Sequence, residues 1–173
     1  ATAFLNAFTD ACKGADVLLI GGDTTRATQQ LMLSITAIGV AENTQIKFRN
    51  KAKPGDLLCI AGNIGHAHLG FTALEQKKSG LQTYKHDFLT PTARIKEGLW
   101  LGKQADVRSM MDTSDGLLID IERLCEASSI GCTINLDNFK PSAEFIKACD
   151  TLTLDTTEAL LGGGEDYALM FSI

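Results

Sequence analysis

The sequence predicts a mixed α/β fold of the α+β type for this chain of 173 residues. Apolar runs of strand type and helical patterns follow one another along the sequence, and the segments that link them are short. Such alternation is typical of a sheet that packs against helices. A composition of 45% hydrophobic and 21% charged residues matches a globular chain with a sizeable core.

The first predicted elements are a helix and two strands. Apolar side chains recur at helical spacing between Phe4 and Cys12, which predicts a helix over residues 3–13. A short apolar run at residues 17–20 predicts a strand that ends at a pair of glycines. The mostly apolar residues 31–40 predict a longer buried strand.

A change in composition predicts where one domain ends and the next begins. Residues 47–53 are polar and basic, with charges that alternate as on the exposed face of a strand. Pro54 and Gly55 follow as a turn dipeptide. We therefore predict one domain over residues 1–45 and a second over residues 46–173.

The second domain predicts strands and helices in alternation. Thr90 and Pro91 fit the N-cap and the first position of a helix, because proline has no amide hydrogen that needs a partner there. The polar residues 77–87 predict a surface loop. We predict strands at residues 57–61, 107–111, 132–136 and 167–173. Residues 62–70 are predicted as a glycine-rich loop that enters a helix ending near residue 78. Further helices are predicted from residue 90 and at residues 117–125, 142–149 and 156–161.

Charge and cysteine content argue against several classes of protein. The net charge is -5 and no basic block is present, so we predict no nucleic-acid partner. No apolar stretch approaches the ~20 residues of a membrane span, and no signal peptide is recognisable, which favours a cytoplasmic protein. The five cysteines contain no Cys-x-x-Cys pair, so we expect reduced, structural thiols rather than a zinc site.

Three glycine turns that carry acidic residues interrupt the apolar runs. They are Gly-Gly-Asp-Thr-Thr-Arg from Gly21, Asp-Thr-Ser-Asp-Gly from Asp112, and Gly-Gly-Gly-Glu-Asp-Tyr from Gly162. Glycine permits tight turns and lets a ligand approach the backbone closely. Carboxylates on such turns offer the oxygen ligands that Mg²⁺ prefers. The turns therefore predict a magnesium-dependent site for a polyphosphate.

Each of these features also has a purely structural interpretation. Ser114 or Asp115 would cap the helix that follows the second turn, and Asp23 would form an Asx turn. The three glycines from Gly162 would be a flexible linker. His66 and His68 would bind a metal only if a third ligand lay nearby, and we expect none.

Four segments in register resemble the thiamine-monophosphate kinase family, part of an ATP-binding superfamily with aminoimidazole ribonucleotide synthetase and selenophosphate synthetase. They are residues 18–26, 49–56, 112–117 and 163–167. The resemblance implies the end of an N-terminal sheet domain, which pairs across a homodimer in the full-length protein, followed by a C-terminal α/β domain. Because Ala1 is not an initiator methionine and both terminal segments read as parts of regular elements, we expect a fragment of a longer gene product.

The resemblance also implies a reaction and a set of site residues. ATP would transfer its γ-phosphoryl group directly, in line, to thiamine monophosphate, with Mg²⁺ bound and with no residue assigned as acid or base. The implied residues are Asp23, Asp112 and Asp115 for magnesium, Gly22, Arg49 and Ser114 for ATP, and Glu165 for the thiamine substrate. Two alternatives remain open: a related enzyme with another acceptor, and a non-catalytic nucleotide-binding or assembly fragment.

Overall fold

The computed structural model describes residues 2–26 and 28–173, which form two compact units, Ala1–Val40 and Ala41–Ile173. The domains predicted from the sequence, residues 1–45 and 46–173, remain a prediction. None of the helices in the described ranges is long and apolar enough to cross a membrane.

Among its described residues, the first unit contains one regular element, helix α1 at Thr2–Gly14, as the apolar spacing predicts. The strands predicted at residues 17–20 and 31–40 are wrong, because the described residues of this unit pair in no ladder. An apolar run becomes a strand only where a second strand accepts and donates its backbone hydrogen bonds. Its side chains are accordingly exposed, as at Leu18 (81%) and Leu31 (85%).

The second unit contains three strands and six helices within the described chain. The strands are β1 at Leu58–Ala61, β2 at Ser109–Thr113 and β3 at Ala168–Ser172. The helices are α2 at His66–Glu75, α3 at Gln82–Leu89, α4 at Ile95–Gly102, α5 at Leu117–Ser128, α6 at Ala143–Leu152 and α7 at Thr156–Leu161. Short 3₁₀ turns occur at Asn43–Gln45, Arg49–Lys51 and Leu136–Asn138.

The three strands form an antiparallel sheet in the order β1-β3-β2. Met170 of the central strand pairs with Ile60 on one side and Met111 on the other, and it is fully buried. Helices α2, α5, α6 and α7 contribute most of the rest of the core, including Leu69 and Leu124. The predicted α+β architecture is therefore confirmed.

Three predictions about this unit are wrong. Residues 77–87 are not all loop, because α3 begins at Gln82 and buries Tyr84 where Gly70 of α2 leaves room for its backbone. Thr90 does not begin a helix. Its amide donates to the His86 carbonyl and ends α3, and Pro91 follows a helix end, a common position for proline.

The third error is the strand predicted at residues 132–136, which pairs with no strand of the described sheet. There the Asn135 side chain accepts a hydrogen bond from the Asp137 amide at 3.0 Å and turns the chain into a 3₁₀ turn. Asparagine forms such local bonds readily, and they compete with a strand ladder.

Candidate functional site

The Asp112 loop, residues 112–116, joins the end of β2 to α5. Asp112 is exposed opposite Leu169 in the ladder, whereas Thr113 is buried. Gly116 occupies the N-cap position with a φ of 117°, and no side chain caps the helix there. Capping by Ser114 or Asp115 is therefore wrong, and both side chains are free of that task.

Asp120, in the first turn of α5, holds the Asp112 loop in place through hydrogen bonds to its backbone. One oxygen of its fully buried carboxylate accepts hydrogen bonds from the amides of Ser114 at 2.8 Å and Asp115 at 3.1 Å. The other oxygen accepts from Arg123 at 3.2 Å, and the same Arg123 nitrogen contacts Asp115. These two amides are thus used within the protein and are not available to a phosphate.

The sequence did contain a signal for Asp120, which our prediction missed. Leu117 and Leu124 lie three positions before and four positions after it, so all three residues share one face of α5. A carboxylate on an apolar helix face is rarely buried without partners. An acidic residue on this face, one turn after a loop, is therefore expected to accept hydrogen bonds from the loop amides.

The glycine loop, residues 162–167, packs against the Asp112 loop. The amide of Glu165 donates to the Ser114 carbonyl at 2.8 Å, and the amide of Tyr167 donates to the Thr113 carbonyl at 2.8 Å. A Cβ on Gly164 would lie 2.6 Å from the Ser114 carbonyl oxygen, and one on Gly163 would collide with His68. The glycines are therefore required for close packing, and the interpretation as a flexible linker is wrong.

Acidic groups collect where the two loops meet. Glu165 and Tyr167 both adopt left-handed backbone angles, with φ of 69° and 49°, and the Tyr167 hydroxyl donates to Glu165 at 3.0 Å. This hydrogen bond raises the pKa of Tyr167, as do partial burial and the negative charges of Glu165, Asp112 and Asp115. The structure thus brings three of the predicted carboxylates, together with Ser114, to neighbouring positions.

Asp166, between Glu165 and Tyr167, has a structural role that the sequence prediction also missed. Its carboxylate accepts hydrogen bonds from the amides of Gly65 at 2.6 Å and Ala67 at 2.8 Å, and so caps α2. Burial raises the pKa of Asp166, although the two amide hydrogen bonds act in the opposite direction. This contact ties the end of the glycine loop to α2.

The histidines do not form a metal site in the part of the chain that the structure describes. His66 contacts Asp87 at 2.7 Å, whereas His68 packs beside Gly163. No group of three or more His, Cys, Asp or Glu side chains among the described residues is arranged to hold a metal ion. All five cysteines are free, and Cys132 is exposed rather than packed in the core.

The other predicted site residues lie in different surroundings. Arg49 is in the 3₁₀ turn rather than on a strand face, and its carbonyl accepts from the Ser128 hydroxyl of α5 at 2.8 Å. Gly22 and Asp23 belong to the first unit, where the Asp23 carboxylate accepts from the Thr24 amide at 2.7 Å. Their convergence with Asp112 and Asp115 stays a prediction.

The chain is similar in sequence to a known protein family and to several of its members. Residues 53–171 match the family described as AIR synthase related protein, C-terminal domain. The chain is 36% identical over 162 residues to the thiamine-monophosphate kinase of Buchnera aphidicola subsp. Schizaphis graminum, covering 90% of this chain and 48% of that protein. With the Escherichia coli thiamine-monophosphate kinase it shares 31% identity over 181 residues, covering 99% and 52%.

The chain is also similar to solved structures of thiamine-monophosphate kinases. The crystal structure of thiamine monophosphate kinase from Aquifex aeolicus has a TM-score of 0.66 and 29% identity, covering 73% of this chain and 44% of that one. A structure of AaThiL complexed with AMPPCP and TMP has a TM-score of 0.65 and 30% identity, covering 72% and 41%. The resemblance predicted from the motifs is confirmed. The chain spans about half the length of these two curated relatives.

Proposed function

The chain belongs to the family of AIR synthase-related proteins, whose C-terminal domain it contains at residues 53–171, and on that premise we propose that it supplies the acidic loops of an ATP-dependent thiamine-monophosphate kinase. The observation that carries the proposal is the pairing of the Asp112 loop with the glycine loop through the Glu165 and Tyr167 amides. It is supported by relatives named thiamine-monophosphate kinase and by a similar structure complexed with AMPPCP and TMP.

The donor set of the Asp112 loop fits magnesium. Mg²⁺ keeps several waters and is commonly held by one or two carboxylates together with substrate phosphates, so a closed cage of protein ligands is not required. Asp112 and Asp115 are exposed carboxylates on one short loop, and Asp115 already attracts a cation, the Arg123 guanidinium. We assign Asp112 and Asp115 as ligands, with Asp23 as the ligand from the first unit.

The proposed chemistry places little demand on acid or base groups. The acceptor is a phosphate monoester with a second pKa of about 6, so it is largely anionic at neutral pH. Bound magnesium would neutralise the repulsion between the two polyanions. The residues of this chain position the reactants: Ser114, Arg49 and Gly22 contact ATP, and Glu165 contacts the thiamine substrate.

Three further parts of the proposal concern the whole protein. The resemblance favours a homodimer, and the net charge of -5 gives no reason to expect a nucleic-acid partner. ATP and thiamine monophosphate are the proposed small-molecule partners. Sedimentation of the complete gene product would test the dimer.

A kinase assay tests the proposal. Thiamine diphosphate formation from ATP and thiamine monophosphate is measured for this chain, for the complete gene product and for two variants of the latter. Asp112→Asn should lower turnover at least about a hundredfold, because removal of one preorganised electrostatic partner costs that much in other enzymes. Asp106→Asn, at an exposed aspartate before the opposite end of β2, is the matched control and should keep normal turnover.

Near-normal turnover of Asp112→Asn would contradict the metal role. Binding of ATP by the complete protein without any phosphoryl transfer would instead favour the non-catalytic alternative. Transfer to an acceptor other than thiamine monophosphate would favour a related enzyme of the same family.

A further inference from the structure

Arg123 bridges two carboxylates whose surroundings differ. A single guanidinium nitrogen contacts the exposed Asp115 and, at 3.2 Å, the buried Asp120. The Asp115 side chain is 50% exposed and the Asp120 side chain is 0% exposed, while Arg123 itself is 45% exposed. One partner of this arginine is therefore fixed in the protein interior, and the other faces solvent.

The two carboxylates that contact Arg123 differ in how firmly the surrounding protein holds them. Asp120 is held by the amides of Ser114 and Asp115 as well as by Arg123, and a buried carboxylate that loses its cation is strongly destabilised. Asp115 is half exposed, so exchange of its cation for another would leave no buried charge unpaired at that position. Arg123 can thus remain with Asp120 while it releases Asp115.

We propose that Arg123 is a positioning residue that holds Asp115 while the loop is free of metal and competes with a divalent cation for this carboxylate. The inference rests on the proposed function, in which Asp115 is a metal ligand. In the free protein the guanidinium offsets the negative charge of Asp115, with which it is in contact. When a cation binds, its charge takes over this task.

Direct measurement of metal binding tests the inference without relying on turnover. Mn²⁺ replaces Mg²⁺ as the probe, and its binding to the complete gene product is followed by electron paramagnetic resonance in the presence of AMPPCP. Arg123→Gln should bind Mn²⁺ about three- to tenfold more tightly, because the divalent ion no longer has to displace the guanidinium from the Asp115 carboxylate. If Arg123 only supported Asp120, the variant would bind Mn²⁺ equally or more weakly.

Arg108 provides a matched control. It is 43% exposed and pairs with Asp56, whose side chain is 4% exposed, so this pair resembles that of Arg123 and Asp120 in exposure. Arg108→Gln should lose a similar ion pair and leave Mn²⁺ affinity within about twofold of the parent protein. An equal gain in both variants would mean that net charge alone sets the affinity, which would overturn the inference.

A double-variant cycle assigns the effect to Asp115. Asp115→Asn should weaken Mn²⁺ binding, and addition of Arg123→Gln to it should cause no further tightening. Tightening that persists without the Asp115 carboxylate would overturn the inference. If Arg123→Gln does not fold, Arg123→Met, which also removes the charge but keeps an apolar stem of similar length, is measured instead and should shift affinity in the same direction.

The outcomes separate this inference from the proposed function. If the parent protein binds no Mn²⁺ in the presence of AMPPCP, the metal role of the Asp112 loop fails and the inference fails with it. If the parent binds Mn²⁺ and phosphorylates thiamine monophosphate but Arg123→Gln does not tighten binding, only the inference is overturned.

Discussion

Replacement of Gly164 by alanine should separate the two loops that form the candidate site. A Cβ there would lie 2.6 Å from the Ser114 carbonyl oxygen and 3.1 Å from the Asp115 carbonyl carbon, and ordinary contact begins near 3.4 Å. One loop must therefore move by roughly 0.8 Å, which is enough to weaken the hydrogen bond from the Glu165 amide to Ser114. Overpacking costs about 1–3 kcal/mol and loss of the hydrogen bond about 1 kcal/mol, so we expect the free energy of unfolding to fall by about 2–4 kcal/mol.

Urea unfolding followed by circular dichroism measures this loss. Gly131→Ala is the matched control, because a Cβ on Gly131 would meet nothing within 4 Å and its φ is not in the left-handed region. The control should be neutral or slightly stabilised, as alanine restricts the unfolded chain. A Gly164→Ala variant within about 0.5 kcal/mol of the parent would refute the close packing of the loops described above.

Two further predictions concern protonation. The raised pKa of Asp166 means that the folded chain holds this proton more tightly than the unfolded chain does. The stability it contributes is therefore present below pH 3.8 and lost as the pH rises through the raised value. Urea unfolding against pH should show the parent losing stability relative to Asp166→Asn over this interval, and a constant difference would contradict the burial argument. For Tyr167, Glu165→Ala in a Tyr84→Phe background should lower the pKa seen in the tyrosinate absorbance, because the first cause of its elevation is removed. An unchanged titration would mean that the hydroxyl does not bond to Glu165 in solution.

Local patterns in the sequence were sufficient for much of the second unit. Helices α5, α6 and α7 follow their apolar spacing, and Ser142 and Asp155 cap α6 and α7 through side chains that accept amide hydrogen bonds. Strands β1, β2 and β3 lie within two residues of the predicted runs. The helices were predictable because apolar and capping residues of their own segments mark them, and the strands because each lies in or beside an apolar run.

Elements and contacts that depend on distant partners were not predictable in this way. The apolar residues 31–40 satisfy every local rule for a strand, yet a ladder needs a second strand, and the described first unit supplies none. Asp166 caps α2 across 101 positions of sequence, and no local pattern at Gly65 indicates this. The acid-bearing turns were recognised, whereas the buried Asp120 that positions one of them was not.

The central place of β3 has a consequence for how the protein is made. Its residues, Ala168–Ser172, form the ladder partners of both β1 and β2, which do not pair with each other. During synthesis on the ribosome, the first two strands emerge more than fifty residues apart and must wait for the third. The sheet therefore assembles only after translation has passed Ser172, and a nascent chain stopped shortly before β3 would leave both strands unpaired and accessible to chaperones and proteases.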